Sequence, residues 1–166
     1  MRVYGVTGWK NAGKTTLVER LVAHFTAAGL SVATVKRAHH GARTDLPGSD
    51  SDRHRAAGAR QVLLVAPERW ALMTEAPEPP LASLLARLGP ADLVLIEGYK
   101  TAPHPKIECH RAASARGGLI AASNPTIRAL ASDAPGALPP LGRPLFALDD
   151  IPAIAAFIAA EAGLPS

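Results

Sequence analysis

The sequence predicts a three-layer α/β fold, a mainly parallel sheet flanked by helices. Three observations carry that expectation. A β-rich run at residues 2–7 leads through the loop GWKNAGKTT into an amphipathic helical stretch. A second β-rich run, 30–36, follows that helix, and a very apolar run, DLVLIEGYK, comes later at 92–100. Strand, glycine loop, helix, strand is a βαβ unit, and such units build parallel sheets through right-handed crossovers.

Each element follows from local chemistry. Residues 2–7 read as a buried strand that ends at glycine. In the stretch 15–28, Leu17, Val18, Leu21, Val22 and Phe25 recur near helical spacing, and Gly29 stops the helix. The strand at 30–36 gives way to a polar, proline-containing loop over 37–48. A short helix is expected at 50–57, capped by Ser49 or Asp50. Two strands, 61–65 and 70–74, flank a turn at Pro67-Glu68, and 77–80 is a proline break. A helix at 81–88 precedes the apolar strand at 92–96. Strands at 106–110 and 128–132, a Pro/Gly-rich connection at 135–144 and an Ala-rich helix at 151–162 complete the chain. With no repeat and no long linker, the expectation is one domain over 1–166, and the length suits a single sizeable core.

Bulk properties narrow the function. Hydrophobic residues make up 48% of the chain, which argues against disorder. No apolar run reaches the roughly 20 residues that cross a bilayer. The N-terminal residues lack a signal-peptide pattern, and the lone Cys109 suits a reducing compartment, so a cytoplasmic location is expected. The pI near 9.6 and net charge of +4 mark an anion binder. The basic residues are spread singly and aromatics are 4%, a pattern that suits nucleotide phosphates better than nucleic acid.

The spacing Gly8-x4-Gly13-Lys14-Thr15 is that of a phosphate-gripping P-loop, so the fold expected is the P-loop NTPase fold. Gly8 permits a tight exit from the strand. The backbone N–H groups of Asn11, Ala12, Gly13, Lys14 and Thr15 can wrap a phosphate at the positive end of the following helix. Lys14 supplies a point charge for the outer phosphates, and the Thr15 hydroxyl is placed for Mg²⁺. Lys10 either stays solvated or reaches the nucleotide of a neighbouring subunit. Glu97 ends an apolar strand as an acid that holds Mg²⁺ through water and helps align an attacking water; the alternative is a solvated acid after a buried strand. Between 35 and 59, Asp45, Asp50 and Asp52 are candidate metal acids and Lys36, Arg37 and Arg53 candidate anion contacts, or all are solvated. His39, His40 and His54 lack the companion ligands of a closed zinc site. Asp133, at the end of the late strand, either accepts hydrogen bonds from guanine, selecting GTP over ATP, or caps a turn.

Taken together, GWKNAGKTTL, TVKRAHH running into DLPGSDSDRHRAAGA, LIEGYK, PKIECHR and ASD resemble the MobB family of molybdopterin-guanine dinucleotide biosynthesis adaptors, in order across almost the whole chain. Arg37, Gly41 and Ser49 stand where the family commonly has His, an acid and Lys. The resemblance implies GTP binding with at best slow hydrolysis, and a homodimer. It also implies assistance to a MobA-like guanylyltransferase that joins GMP to molybdopterin. Carried onto this chain, Gly13, Lys14, Thr15 and Thr16 hold phosphate, and Thr15 and Glu97 serve Mg²⁺. Asp50 joins Glu97 as a catalytic candidate. Lys100, Lys106 and Arg111 line a basic surface suited to an anionic pterin or the partner. An active P-loop GTPase serving metal insertion, or a small kinase, is the competing reading. It would want a basic lid or a Cys/His motif, which the sequence supplies thinly.

Overall fold

In the computed structural model, residues 1–38, 45–114 and 117–165 are described. His39 and His40 lie outside them. The elements in chain order are β1 (Arg2–Thr7), α1 (Lys14–Ala27), β2 (Val32–Lys36), α2 (Asp50–Ala56), β3 (Gln61–Ala66), β4 (Arg69–Thr74), α3 (Leu81–Leu85), β5 (Leu93–Glu97), β6 (Lys106–His110), β7 (Ile127–Ser132), β8 (Leu145–Ala147) and α4 (Ile151–Ala162). They fall into two compact units, Met1–Arg37 with Leu88–Ser166, and Ala38–Arg87.

The first unit is a six-stranded sheet in the order β2-β5-β1-β6-β7-β8, with each neighbouring pair parallel. The expected α/β class with its mainly parallel sheet is what the chain adopts. The strands of the first βαβ unit are not neighbours, however, because β5 lies between them. Register aligns Lys36 and Val6 with Glu97, so the sheet edge from which the glycine loop leaves also carries Lys36 and Glu97.

The main core joins α1 and α4 to one sheet face. Leu17, Leu21 and Phe25 meet Ile154, Ala155 and Ile158 over Tyr4, Val6, Leu95, Ile107, Ala129 and Ala131. Leu130 points the other way, as alternation along a strand requires. On its side a smaller cluster joins Ala121 and Ile127 to Leu119, Leu138 and Leu141. Beside β7 the layer on that face is thus made of short 3-10 turns and the Pro/Gly-rich connection.

The second unit is smaller. Ser49 caps α2, its Oγ accepting from the Asp52 N–H at 3.4 Å. β3 and β4 form an antiparallel hairpin around Pro67-Glu68, pairing Leu63 with Leu72 and Val65 with Trp70. Arg55 ties the unit together. It bonds both Asp45 oxygens (3.2 and 2.8 Å), Asp52 (2.9 Å) and Glu75 on the far side of the hairpin (2.6 Å). α3 is shorter than predicted, ending at Leu85.

Candidate functional site

The loop between β1 and α1 takes its shape from two glycines. At Gly8, φ is +142°, and a Cβ there would run into the carbonyl oxygen of Cys109 on β6. Gly13 (φ +94°) and Asn11 (φ +63°) adopt left-handed conformations, the alternation that turns successive amides toward one concave side. α2 and α4 are capped by the Ser49 and Asp150 side chains, whereas α1 starts at Gly13 with no side-chain cap. A 14-residue helix with an uncapped start offers its N–H groups and positive dipole end to an external anion. Lys14 follows immediately, its ammonium held by the Trp9 carbonyl at 2.7 Å.

The Thr15 hydroxyl donates to Glu97 Oε1 at 2.9 Å across the sheet edge. Lys36 reaches both from β2, at 3.1 Å from Thr15 Oγ1 and 3.3 Å from Glu97 Oε2. Glu97 is buried. The predicted pair Thr15 and Glu97 is therefore brought together.

Beside α1 lies a cleft of about 310 Å³ lined by Gly13, Thr16, Arg20, Arg111, Asp133 and Asp149, among others. Of the two alternatives for Asp133, the turn cap is present in the structure. The Asp133 Oδ1 accepts from the Ala112 N–H at 3.0 Å, and the residue also faces the cleft. Arg111 lies against the loop, its Nε 3.1 Å from where a Gly13 Cβ would stand. Sequence reasoning missed Arg20 and Asp149 as site residues. Arg20 was findable, since it follows Thr16 by one helical turn and shares its face. Asp149 was not, because it depends on the unpredicted β8.

Lys100 stands over the Trp9 ring at 3.7 Å, and the Trp9 indole N–H donates to the Gly118 carbonyl at 3.0 Å. Burial and then the nearby Lys14 charge hold the Lys100 ammonium below the usual lysine range. Lys10 is exposed on the same loop.

Two expectations need correction. Lys106 does not line a basic surface. It is fully buried, its ammonium donating to the Ala102 and His104 carbonyls and to Thr126 Oγ1 at 2.6–2.7 Å. The reason is position: β6 is an interior strand, and a lysine there must find its oxygens inside. Of the three candidate metal acids, Asp45 and Asp52 are taken up by Arg55. Asp50 opens α2 in the second unit and pairs with Arg53 at 3.6 Å. Among the described residues no cluster of three or more His, Cys, Asp or Glu side chains forms a metal site. No described helix is long and apolar enough to cross a membrane.

A parallel sheet with this glycine loop between its first strand and first helix defines an α/β protein of the P-loop type. More narrowly, residues 3–133 match the family model of MobB, molybdopterin guanine dinucleotide synthesis protein B, and the chain belongs to that family. It is 44% identical over 110 residues to the molybdopterin-guanine dinucleotide biosynthesis adapter protein of Haemophilus influenzae, covering 64% of this chain and 62% of that one. To the Escherichia coli adapter protein it is 40% identical over 108 residues, 62% of each chain. These matches span less than two thirds of either relative. Among solved structures it resembles a MobB homolog from Bacillus stearothermophilus (TM-score 0.71, 30% identity, 99% of this chain and 100% of that one). Bacillus subtilis MobB is similar too (TM-score 0.76, 26% identity, 98% of each chain).

Proposed function

We propose that this chain is a GTP-binding accessory protein of molybdenum cofactor biosynthesis, assisting a MobA-like guanylyltransferase as it attaches GMP to molybdopterin. The observation that carries the nucleotide reading is the uncapped start of α1 beside Lys14, with Thr15 Oγ1 and Glu97 Oε1 2.9 Å apart at the same sheet edge. The partner reading rests on family membership.

In this reading the amides of residues 11–15 and the Lys14 ammonium cradle the phosphates, and Thr16, Arg20 and Arg111 line the path toward the nucleoside in the cleft. Asp133 has a second carboxylate oxygen beyond the one that caps Ala112, and that oxygen accepts from the guanine N–H donors. The Thr15 hydroxyl and Glu97 carboxylate are hard oxygen ligands, the donor type that suits Mg²⁺. Once bound, that ion would offset charge on the outer phosphates. Lys100 and Arg111 offer positive charge beside the loop to an anionic pterin or to the partner.

Hydrolysis is slow in this reading. Glu97 pairs with the Thr15 hydroxyl at the metal end of the site and is given to the metal in this reading, rather than left poised over an attacking water. Arg20 and Arg111 line the cleft beside Thr16, where they serve the nucleoside end rather than acting as an arginine finger, a device worth about 10³ to 10⁵ in rate. Self-association uses the hairpin of the second unit, whose Leu63, Val65, Trp70 and Leu72 are exposed. A two-stranded sheet is marginal alone, and a second copy laid on this face would cover it.

The test is a pull-down with the cognate MobA-like guanylyltransferase, run with GTP, GDP and no nucleotide. Capture that depends on GTP is expected. Capture in none of the three, or turnover of many GTP per second by the chain alone, overturns the reading.

A further inference from the structure

Lys36 is the last residue of β2, level with Glu97 in the sheet. Its ammonium does more than make a surface ion pair. It touches Thr15 Oγ1 at 3.1 Å and Glu97 Oε2 at 3.3 Å, the same two side chains that the proposed function gives to Mg²⁺. Mg²⁺ takes its oxygens at about 2.0–2.1 Å, so an ion on Thr15 Oγ1 and the ammonium in its present position, 3.1 Å from the same oxygen, would stand at most about 5 Å apart. Two cations that close repel strongly near a protein surface. Conversely, Glu97 is only 8% exposed, and a carboxylate that buried is costly without a cation beside it.

We propose that Lys36 is the resident counter-cation of this site. Without nucleotide, its ammonium neutralises Glu97, holds the Thr15 hydroxyl in place and keeps divalent ions out. When nucleotide and metal arrive together, Lys36 leaves the pair and turns toward the outer phosphates. Its flexible four-carbon stem allows that movement, and its side chain is 54% exposed, so no core contact holds it back. The chain thereby admits Mg²⁺ only as a nucleotide complex. The inference rests on the nucleotide reading for its second half; the first half concerns Lys36, Thr15 and Glu97 alone.

The test uses Mn²⁺ as the probe, counted by electron paramagnetic resonance of the unbound ion, with the full-length, nucleotide-free protein. Lys36→Met is expected to bind Mn²⁺ at least about tenfold tighter than wild type, since a positive charge beside the ligands is removed. Lys36→Arg, which keeps the charge, is expected to stay at the wild-type level. Adding Glu97→Gln to Lys36→Met is expected to erase the gain. The inference is overturned if Lys36→Met binds Mn²⁺ no tighter than wild type, if Lys36→Arg behaves like Lys36→Met, or if the gain survives Glu97→Gln. GTP affinity of the wild type, titrated separately by calorimetry, reports on the nucleotide reading. Its absence would sink that reading while leaving the Mn²⁺ comparison valid.

Discussion

Two apolar runs in this chain are nearly alike in composition and opposite in fate. Leu93-Val94-Leu95-Ile96 forms the heart of β5 and is fully buried. Val62-Leu63-Leu64-Val65 forms β3, and only Val62 is buried, with Val65 68% exposed. The difference comes from neighbours. β5 has a strand on each side, β2 and β1, whereas β3 has only β4. A run of aliphatic residues fixes that a strand forms; the strands and helices laid beside it decide whether water is excluded. The contrast also divides labour. The buried sheet holds a rigid edge for the glycine loop, and the exposed hairpin offers surface.

Separate substitutions can break that division. The largest effect is expected from Lys14→Ala, which removes the charge proposed to meet the outer phosphates. GTP affinity measured by calorimetry should fall roughly a hundredfold or more, while circular dichroism and self-association stay as in the wild type. The mirror-image change is Trp70→Ser with Leu72→Ser on the hairpin. Light scattering should show the proposed dimer dissociating at protein concentrations at least about tenfold higher, with GTP affinity unmoved. If either variant disturbs the other unit's property, the division of labour is wrong.

Smaller effects sharpen the first unit's side of the comparison. Asp133→Ala should narrow the preference for GTP over ATP by about tenfold in competition binding, and an unaltered ratio would leave Asp133 only its cap on Ala112. The smallest effect concerns Lys106, where the first unit buries a charge. Burial pushes its pKa down to about 8 from the ordinary value of 10.5. Between those pH values the unfolded chain holds the proton and the folded chain sheds it, so Lys106 makes stability rise with pH across that window. The melting temperature of wild type relative to Lys106→Met should therefore climb from pH 8 to pH 10.

Much of this was legible in the sequence where structure is local. The glycine spacing, the helical period of Leu17, Leu21 and Phe25, and the strands around Pro67-Glu68 all depend on residues close in the chain. What escaped depends on distant partners. Nothing near Lys106 signals an interior strand, since β1 and β7 supply the walls from far along the chain. Asp45 reads as a metal acid until Arg55 and Glu75 are seen to meet across the hairpin. The strand Leu145–Ala147 is three residues long, too short for a period to show. In the site, Thr15 and Glu97 were paired by motif, while Lys36, 21 residues beyond Thr15, joined them only through sheet register.

Trp9 carries one last consequence. The chain has two tryptophans, and they stand in different units. Trp9 sits inside the glycine loop, its carbonyl on Lys14 and its ring under Lys100, and Trp70 stands on the hairpin, 69% exposed. The protein is thus labelled by nature with one indole fluorophore at each place where something is proposed to bind. Substituting either indole by phenylalanine leaves emission from the other alone. Filling of the loop and covering of the hairpin can then be followed as two separate optical signals, in one cuvette and without an added dye.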